Sequence, residues 1–415
     1  MNPLDPPLAC RIAHFSDLHY SATHLEEADR CFGFAIDAAI TAGVDCAILS
    51  GDSTDHGLEV RSPAFLALMK RVQQLANHCP VLMLQGTFSH EPLGALRPMG
   101  LIDARFPVRI VESIEVISLV QDHWVPFAPD ALDQVSLVVS AIPTLNKADL
   151  AVLVGEAGIA AAMGDHLAHL LAQMAPMHEY LRGRGIPTVL VSHGMVDGAH
   201  SETGVPMASA DHEFHQGALF AARATATMLG HIHLHQAWQR EHLGTRQIIA
   251  YPGSIGRFHY GEIGDKMALL WQVGSHDCQF TPVVTPSKKM IDLRFEGEPD
   301  RGALERVAPD CQDAWVRIQF EVLEEDVARF DTNGIIAWFK QHGAREVQVK
   351  RIVIPVLRSR VAGISRLPLA DKLLAWAKHT QVDITGLPER LVDLQQSSAE
   401  DLVALELRKI CAVGP

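Results

Sequence analysis

The sequence predicts an α/β fold in which mixed β-sheets are flanked by helices. Short runs rich in Val, Ile and Leu recur through the first 285 residues, and Gly, Asp, Ser or Pro closely follows each run. Helical stretches separate the first three runs, and two such crossovers favour parallel pairing of the first strands. The later strands follow one another with little helix between them, which favours a mixed or two-sheet core.

Apolar spacing sets the bounds of the predicted elements in this region. The strands are expected at 11–15, 46–50, 81–84, 135–139, 188–191, 227–229, 247–251 and 267–273. The helices are expected at 25–42, 63–77 and about 157–182.

A stretch of Pro, Ser and Lys at 285–289 is typical of a linker, and the pattern changes beyond it. The elements expected there are a strand, a helix, a strand and two further helices, at 315–322, 326–342, 346–356, 369–378 and 398–410. The first three predict a small, separate β-α-β unit. We therefore expect three domains, at residues 1–285, 286–362 and 363–415.

Composition excludes several classes of protein. With 415 residues, 48% of them hydrophobic and 20% charged, the chain is typical of a folded globular protein. No apolar run reaches the roughly 18 residues of a membrane span, and residues 1–10 lack the features of a signal peptide. The seven cysteines are scattered without a CxxC motif, as expected of reduced thiols. We therefore expect a cytoplasmic protein with no membrane partner.

Five short polar motifs directly follow predicted strands. They are Asp17-Leu18-His19, Gly51-Asp52 with Asp55, Gly86-Thr87-Phe88-Ser89-His90-Glu91, His193-Gly194 and Gly230-His231-Ile232-His233. Because sites in open α/β sheets form at the carboxyl ends of strands, we expect these motifs to meet at one edge. Asp and His together favour borderline ions such as Mn²⁺, Fe²⁺ or Zn²⁺ over Ca²⁺.

The motifs contain the parts of a two-metal hydrolase. Alternate residues of an extended segment project to the same side, so Asp17 with His19, and His231 with His233, can each reach one site. A carboxylate such as Asp52 can bridge two ions about 3.5–4 Å apart, the spacing of two-metal hydrolysis. A histidine beside such a pair, here His90, could act as a general acid or donate a hydrogen bond to phosphate.

The order of these motifs resembles the calcineurin-like metallophosphoesterase superfamily, and within it the SbcD-like nuclease branch. The segments HFSDLH, VSHGMVDG and YPGSIGRF, at residues 14–19, 191–198 and 251–258, are similar to motifs of that branch. The resemblance implies a sandwich of mixed sheets flanked by helices as the nuclease domain. It also implies that the β-α-β unit is an α+β capping domain and that the C-terminal helices bind a partner.

The resemblance implies a role for each matching residue. The expected ligands of the first metal are Asp17, His19, Asp52 and His233. The expected ligands of the second metal are Asp52, His193 and His231, with Asp52 bridging. His90 is the expected catalytic residue.

The third motif departs from the family pattern Gly-Asn-His-Asp/Glu, in which Asn binds the second metal. The chain is two residues longer there and lacks the Asn, so Thr87, Ser89 or water is expected to take its place. Asp55 is expected to orient a metal ligand by contacting that ligand without binding the metal itself. Arg257 and Lys266 are candidate phosphate contacts because they follow the last metal motif.

The resemblance implies a metal-dependent phosphodiesterase acting on DNA ends, an exonuclease of DNA repair. Two divalent ions are expected, Mn²⁺ first, with Fe²⁺, Zn²⁺ or Mg²⁺ as alternatives. The implied partners are DNA, an SbcC-like ATPase and a second copy of the chain.

Two alternatives remain open. The net charge of −14 counts against a general nucleic-acid coat, and its acidic excess lies in the first 285 residues. This favours a phosphodiesterase for small substrates such as cyclic nucleotides. The missing Asn instead favours a DNA-binding scaffold with a degenerate metal site.

Overall fold

The computed structural model of the chain describes residues 9–145, 159–207, 213–297, 299–355, 366–399, 401–404 and 408. The chain divides into two compact units. The first comprises Met1–Arg294, Asp300–Gln319 and Asn333–Lys350, and the second comprises Phe295–Pro299, Phe320–Thr332 and Arg351–Pro415. The three predicted domains stay a prediction, and the boundary predicted after residue 362 lies outside the described residues. Within the described part of the chain, no helix is both long enough and apolar enough to span a bilayer.

The described elements follow in chain order. The strands are β1 (Cys10–Phe15), β2 (Cys46–Leu49), β3 (Val81–Leu84), β4 (Val108–Val111), β5 (Glu115–Val120), β6 (His123–Pro126), β7 (Val135–Ile142), β8 (Thr188–His193), β9 (Met195–Val196), β10 (Glu213–Phe214), β11 (Ala226–Gly230), β12 (Gln236–His242), β13 (Thr245–Tyr251), β14 (Met267–Val273), β15 (Cys278–Val284), β16 (Met290–Phe295), β17 (Trp315–Leu323) and β18 (Glu346–Ile354). The helices are α1 (Leu25–Ala42), α2 (Pro63–Ala76), α3 (Ile159–Gly183), α4 (Gln216–Ala221), α5 (Arg301–Val307), α6 (Thr332–Gln341), α7 (Leu369–Thr380) and α8 (Leu387–Gln396).

Local chemistry sets the ends of the two helices that connect the first three strands. The side chain of Ser62 caps α2 by accepting a hydrogen bond from the amide of Phe65 (3.1 Å), and Pro63 occupies the first turn. α1 ends at Gly43, whose φ of 64° is the left-handed conformation that terminates helices. These ends return the chain to the sheet, so that β1, β2 and β3 run parallel.

Two mixed sheets make up the core of the first unit. The first sheet has the order β15-β14-β1-β2-β3-β4, with β1 to β4 parallel and the other two strands antiparallel. The second has the order β12-β13-β11-β8-β7-β5-β6, in which the four strands from β13 to β7 are parallel and the outer ones antiparallel. Smaller sheets pair β10 with β9 and order three strands as β16-β17-β18.

The two large sheets pack face to face. Ile48 and Leu82 of the first sheet share one buried cluster with Val139 and Met228 of the second. Helices α1 and α2 cover the outer face of the first sheet, and α3 and α4 cover that of the second. Each fully buried aliphatic side chain contributes about 1.5–3 kcal/mol, so this four-layer packing is the main source of stability. The predicted fold class, mixed sheets flanked by helices, is confirmed.

The sequence prediction found the inner strands of the two large sheets except β5 and missed the edge strands of both sheets. All eight strands predicted in the first 285 residues are present, with ends shifted by at most three residues. The missed elements are β4, β5, β6, β9, β10, β12, β15, β16, α4, α5 and α8. The helix predicted at 326–342 is shorter, since α6 begins at Thr332 after a separate 3₁₀ turn at Val327–Arg329. The helix predicted at 398–410 lies partly outside the described residues.

Candidate metal centre

The five polar motifs lie at the carboxyl ends of five strands, and both large sheets contribute. The segments that follow β1 and β2 run side by side, joined by a hydrogen bond from the amide of Asp17 to the carbonyl of Gly51 (3.1 Å). In the second sheet, β8 and β11 end in register, with His193 opposite Gly230. The sandwich therefore brings motifs that are distant in sequence to one edge.

Four of the predicted metal ligands have a backbone conformation that residues other than glycine rarely adopt. Their positive φ angles are 50° at Asp17, 47° at His19, 51° at Asp52 and 104° at His231. Such conformations cost of order 1–3 kcal/mol each and persist where the surrounding structure imposes them. Their concentration at one edge of the sandwich marks that edge as a functional site.

Two glycines let the backbone approach the candidate ligands. A Cβ atom at Gly86 would lie 2.2 Å from Oδ1 of Asp52, and a Cβ at Gly230 would lie 2.8 Å from Nδ1 of His193. Real Cβ atoms do not approach other atoms so closely. A larger residue at either position would displace a candidate ligand.

The first cluster of candidate ligands joins one carboxylate and two imidazoles. The Nε2 atoms of His19 and His233 lie 2.8 Å apart, and Oδ1 of Asp17 lies 3.9 Å from the first and 3.8 Å from the second. Burial raises the pKa of Asp17 to about 6. Burial also lowers the pKa of His19 to about 3 and that of His233 well below its ordinary value. Both imidazoles are therefore neutral near pH 7, with nitrogen lone pairs available to a cation.

The second cluster contains Asp52, His193 and His231. Nδ1 of His193 donates to the carbonyl of Ser50 (2.8 Å), which fixes the ring so that Nε2 lies 3.2 Å from Oδ2 of Asp52. Burial acts to raise the pKa of Asp52 and lower that of His193, but the attraction between them outweighs burial. The pKa of Asp52 is held below its usual range, and that of His193 rises to about 9. Burial lowers the pKa of His231 to about 4.

The structure distinguishes the two hydroxyls considered as replacements for the missing Asn. Oγ1 of Thr87 lies 3.1 Å from Oδ2 of Asp52 and 3.3 Å from Nε2 of His193, and the amide of Thr87 donates to Oδ1 of Asp52 (2.7 Å). Ser89 is exposed to solvent. Thr87 therefore lies against the second cluster, whereas Ser89 faces outward.

His90 lies beside the first cluster and is paired with Asp55. Its ring packs edge to face against that of His19, with centroids 4.9 Å apart. Nδ1 of His90 lies 3.2 Å from Oδ1 of Asp55, without the alignment of a hydrogen bond. Asp55 thus lies against the predicted catalytic residue, and its ligand atom groups with those of His19 and His90.

Two buried groups that the sequence analysis did not single out hold the loops in place. The hydroxyl of Ser16 donates to Oδ2 of Asp17 (2.6 Å). The carboxylate of Glu91 accepts from the amides of Ser53 (2.5 Å) and Gly86 (2.6 Å), so it ties the second motif to the third. Burial, together with the charge of Asp52, raises the pKa of Glu91 to about 7. The sequence could have singled out Glu91, because it directly follows the predicted catalytic residue His90.

The two candidate phosphate contacts have other partners. Lys266 is buried, its ammonium lies 2.5 Å from a carboxylate oxygen of Glu262, and it donates to the carbonyl of His233 (3.0 Å). The guanidinium of Arg257 donates to the carbonyls of Glu262 and Gly264. Lys266 thereby steadies the backbone of a candidate ligand, and contact of either cation with phosphate stays a prediction.

The clusters open into one pocket of about 340 Å³. Its lining includes predicted residues from both clusters together with Thr87, His90 and Asp55. It also includes residues that the sequence analysis did not assign to the site, namely His24, His56, Glu202, Phe258 and His259. Among the residues that the structure describes, no lysine or arginine lines this pocket.

The donor set fits divalent metal ions. In each of the two clusters, one ligand atom per residue lies within 4.8 Å of the others. Imidazole and carboxylate together suit Mn²⁺, Fe²⁺ or Zn²⁺. Nε2 of His233 faces the other ligand atoms of the first cluster, whereas Nδ1 is buried without a hydrogen-bond partner in the described structure. The geometry joins Asp52 to the second cluster, and its bridging of both ions stays a prediction.

Comparisons with known proteins add little to this assignment. No family model and no curated protein sequence matches the chain. Among solved structures, it is similar to a dimetal phosphatase from Danio rerio, with 11% sequence identity and a TM-score of 0.40. The similarity covers 68% of this chain and 100% of that one. The assignment of the site therefore rests on the side chains described above.

Proposed function

We propose that the protein is a metal-dependent phosphodiesterase that uses two divalent cations. The observation that carries this proposal is the presence of two adjacent Asp/His clusters in one pocket, with His90 beside them. Two adjacent sites of this kind suit two-metal hydrolysis of phosphate esters, and a neighbouring histidine can donate a proton to the leaving group.

Asp17, His19 and His233 would hold one cation, and Asp52, His193 and His231 the other. Bound there, the cations would act as Lewis acids toward phosphate and lower the pKa of a water molecule. The hydroxyl of Thr87 lies against Asp52 and His193 of the second cluster.

His90 is the proposed general acid. Its side chain is one-quarter exposed and lines the pocket, so it can reach a leaving oxygen. Oδ1 of Asp55 lies 3.2 Å from Nδ1 of this ring. Proton donation to the leaving oxygen is thus assigned to a side chain, His90, and not to the bound cations.

For the substrate, we propose phosphodiester bonds at DNA ends, cleaved in a manganese-dependent exonuclease reaction of DNA repair in the cytoplasm. The support is the sequence resemblance of the segments at 14–19, 191–198 and 251–258 to SbcD-like nucleases. On the same basis, we propose an SbcC-like ATPase and a second copy of the chain as partners.

A small diester is the second candidate substrate, and the pocket favours it. No lysine or arginine lines the pocket among the described residues, and Glu202 adds negative charge there. Nucleic-acid sites commonly carry Lys and Arg that contact several phosphates along the strand. A diester with one phosphate needs the cations alone.

One assay separates these possibilities. The full chain is incubated with Mn²⁺ and, in parallel reactions, end-labelled duplex DNA, bis-p-nitrophenyl phosphate and a cyclic nucleotide. Cleavage of DNA from its ends supports the nuclease, whereas hydrolysis of the small diesters alone supports the second candidate. DNA binding without hydrolysis of any substrate would identify a scaffold and would contradict the proposed enzyme.

A further inference from the structure

A series of aromatic rings leads away from the first cluster of candidate ligands. The ring centroids of His19 and Phe258 lie 5.6 Å apart, and those of Phe258 and His24 lie 5.1 Å apart. His24 in turn contacts His259, with centroids 5.9 Å apart. All four residues line the pocket. We call Phe258, His24 and His259 the ring row, which begins beside a candidate metal ligand and ends at a side chain exposed to solvent.

The loop that carries Phe258 and His259 is held in place by a buried carboxylate and a stacked cation. The carboxylate of Glu262 accepts hydrogen bonds from the amides of Phe258 (3.0 Å) and His259 (2.5 Å). The guanidinium of Arg317 lies over the ring of Tyr260, 4.5 Å from its centroid. The ring row is therefore preorganised, so a ligand does not have to order this loop when it binds.

The outer end of the ring row offers a surface to a planar group. His24 is half-buried, and His259 is exposed although it lines the pocket. Histidine rings stack on nucleobases, as the rings of Phe, Tyr and Trp do, and every base has a face for such stacking. Because the first cluster lies at the inner end of the row, a base stacked on the outer end carries its own phosphate toward the cations.

Glu202 places a hydrogen-bond acceptor beside the ring row. Its carbonyl accepts from the amide of Ile263 (2.8 Å), so its loop adjoins the loop of His259. Its carboxylate lines the pocket and makes no ion pair or hydrogen bond with the residues that the structure describes. An ionised carboxylate only accepts hydrogen bonds, so it suits the amino group of adenine, cytosine or guanine and repels a carbonyl oxygen of thymine.

We propose that the ring row and Glu202 form a base-binding subsite, which makes nucleotides with an amino-bearing base the preferred substrates. The base stacks on His24 and His259, Glu202 accepts a hydrogen bond from its amino group, and the phosphate meets the cations. The inference rests on the proposed function, since it names the substrate class of the same site. Stacking also gives a nucleotide affinity in a pocket whose described lining contains no lysine or arginine.

The test compares three esters that share one leaving group. The p-nitrophenyl phosphate esters of deoxyadenosine, thymidine and methanol all release p-nitrophenol, so differences in kcat/KM report the group that stays on the phosphate. His259→Ala removes the outer ring of the row, and His259→Phe keeps an aromatic ring there. The matched control is His56→Asn, which removes another exposed imidazole of the pocket, one that contacts His90, at a left-handed position that Asn tolerates.

The readout is a ratio of kcat/KM values within each protein, so a change in overall rate does not affect it. With Mn²⁺, we expect the wild type to prefer the deoxyadenosine ester to the methyl ester by about tenfold or more. This ratio should fall about tenfold in His259→Ala and keep its wild-type value in His259→Phe and His56→Asn. In Glu202→Gln, whose amide both donates and accepts, the preference for deoxyadenosine over thymidine should be lost.

The outcomes separate the subsite from the proposed function. A wild-type chain that hydrolyses the methyl and deoxyadenosine esters equally well, or a His259→Ala ratio equal to that of wild type, would overturn the subsite and leave the proposed function standing. If no ester is hydrolysed, the proposed function fails, and calorimetric titration with deoxyadenosine 5′-phosphate decides the subsite. Its dissociation constant should then rise about tenfold in His259→Ala and not in His56→Asn, and equal constants would overturn the subsite.

A DNA end and a free nucleotide can each present such a base, and His259→Ala distinguishes them. Its rates on end-labelled duplex DNA and on a cyclic adenine nucleotide are compared with those of wild type. The subsite serves the substrate whose cleavage falls about tenfold. Unchanged cleavage of both substrates would contradict the proposal.

Discussion

The hydroxyl of Thr87 lies between the carboxylate of Asp52 and the ring of His193, at 3.1 and 3.3 Å. It is therefore positioned to complete the second metal cluster in place of an asparagine. A neutral hydroxyl is a weaker ligand than an amide oxygen, so the second site should hold its ion less tightly than the first.

We predict that Thr87→Val, which removes the hydroxyl and keeps the shape, weakens the second metal site. The Mn²⁺ concentration for half-maximal activity should rise about tenfold, as for other losses of groups that support metal ligands. Ser89→Ala is the matched control and should behave as wild type, because Ser89 is exposed. Identical manganese titration curves for Thr87→Val and wild type would show that another group completes the cluster.

His90 is predicted to act on protons and not to hold the catalytic ions. In His90→Asn, turnover should fall by roughly 10²–10⁴, the usual contribution of a general acid. The number of Mn²⁺ ions bound per chain, measured by elemental analysis after dialysis, should stay at the wild-type value. Loss of an ion in this variant would make His90 a ligand.

At the scale of elements, helix α3 is fixed to the second sheet by a buried histidine. Nδ1 of His178 donates to the carbonyl of Ala222 (2.6 Å), and Nε2 lies 2.8 Å from the hydroxyl of Ser140 on β7. Burial lowers the pKa of His178 from 6.5 to about 4. The folded chain therefore requires the neutral ring, because its two hydrogen bonds use one donor and one acceptor.

This histidine makes stability depend on pH in a defined window. In the unfolded chain this histidine is protonated below about pH 6.5, whereas in the folded chain it stays neutral down to about pH 4. The free energy of unfolding therefore falls by up to about 3 kcal/mol as the pH is lowered from 6.5 to 4. His178→Asn should be less stable than wild type at pH 7 but should lose less stability between pH 6.5 and 4. Urea unfolding at pH 7.0, 5.5 and 4.5 measures both. Parallel pH profiles for the two proteins would contradict the assignment.

The position of a strand in its sheet decided whether the sequence could predict it. β1, β2, β3, β8 and β11 are buried on both faces and read as apolar runs, so both the strands and the motifs at their ends were predictable. The four edge strands of the two large sheets, β4, β15, β6 and β12, were all missed. β12 and β15, for example, expose most of their side chains, because an edge strand need not be buried on both sides.

For the candidate site, the sequence could predict which residues belong to it but not how their side chains pair. Residue type and position after a strand were enough to select Asp17, His19 and Asp52 as candidate ligands, and the structure brings each of them into one of the two clusters. The pairing of Asp55 with His90, and the burial of Lys266 against Glu262, depend on side-chain packing that no local pattern records.

At the scale of the whole molecule, the candidate centre joins strand ends from both large sheets. The first cluster draws Asp17 and His19 from the first sheet and His233 from the second, and the second cluster draws Asp52 from the first sheet and His193 from the second. A metal bound to such clusters links the two sheets, so metal binding should stabilise the entire sandwich.

We predict that Mn²⁺ raises the melting temperature. An ion at about 100 times its dissociation constant adds roughly 2.7 kcal/mol per site, which corresponds to an increase of about 5 °C or more. Ca²⁺ at the same concentration should have little effect, because the imidazole-rich donor set disfavours it. His193→Ala should show a smaller manganese shift than wild type. Equal shifts with Mn²⁺ and Ca²⁺ would indicate binding elsewhere.

The most direct test of the central claim is the rate of bis-p-nitrophenyl phosphate hydrolysis by Asp52→Asn. Asp52 lies 3.2 Å from His193 and accepts from Thr87, so its charge is central to the second cluster. The control is Asp277→Asn, which removes an exposed carboxylate paired with Arg246. With Mn²⁺ present, we expect Asp52→Asn to lose roughly 1,000-fold or more in rate, with its circular dichroism unchanged, and Asp277→Asn to match wild type. Wild-type hydrolysis that survives chelation of metals, or a folded Asp52→Asn chain with a near-normal rate, would contradict the two-metal account.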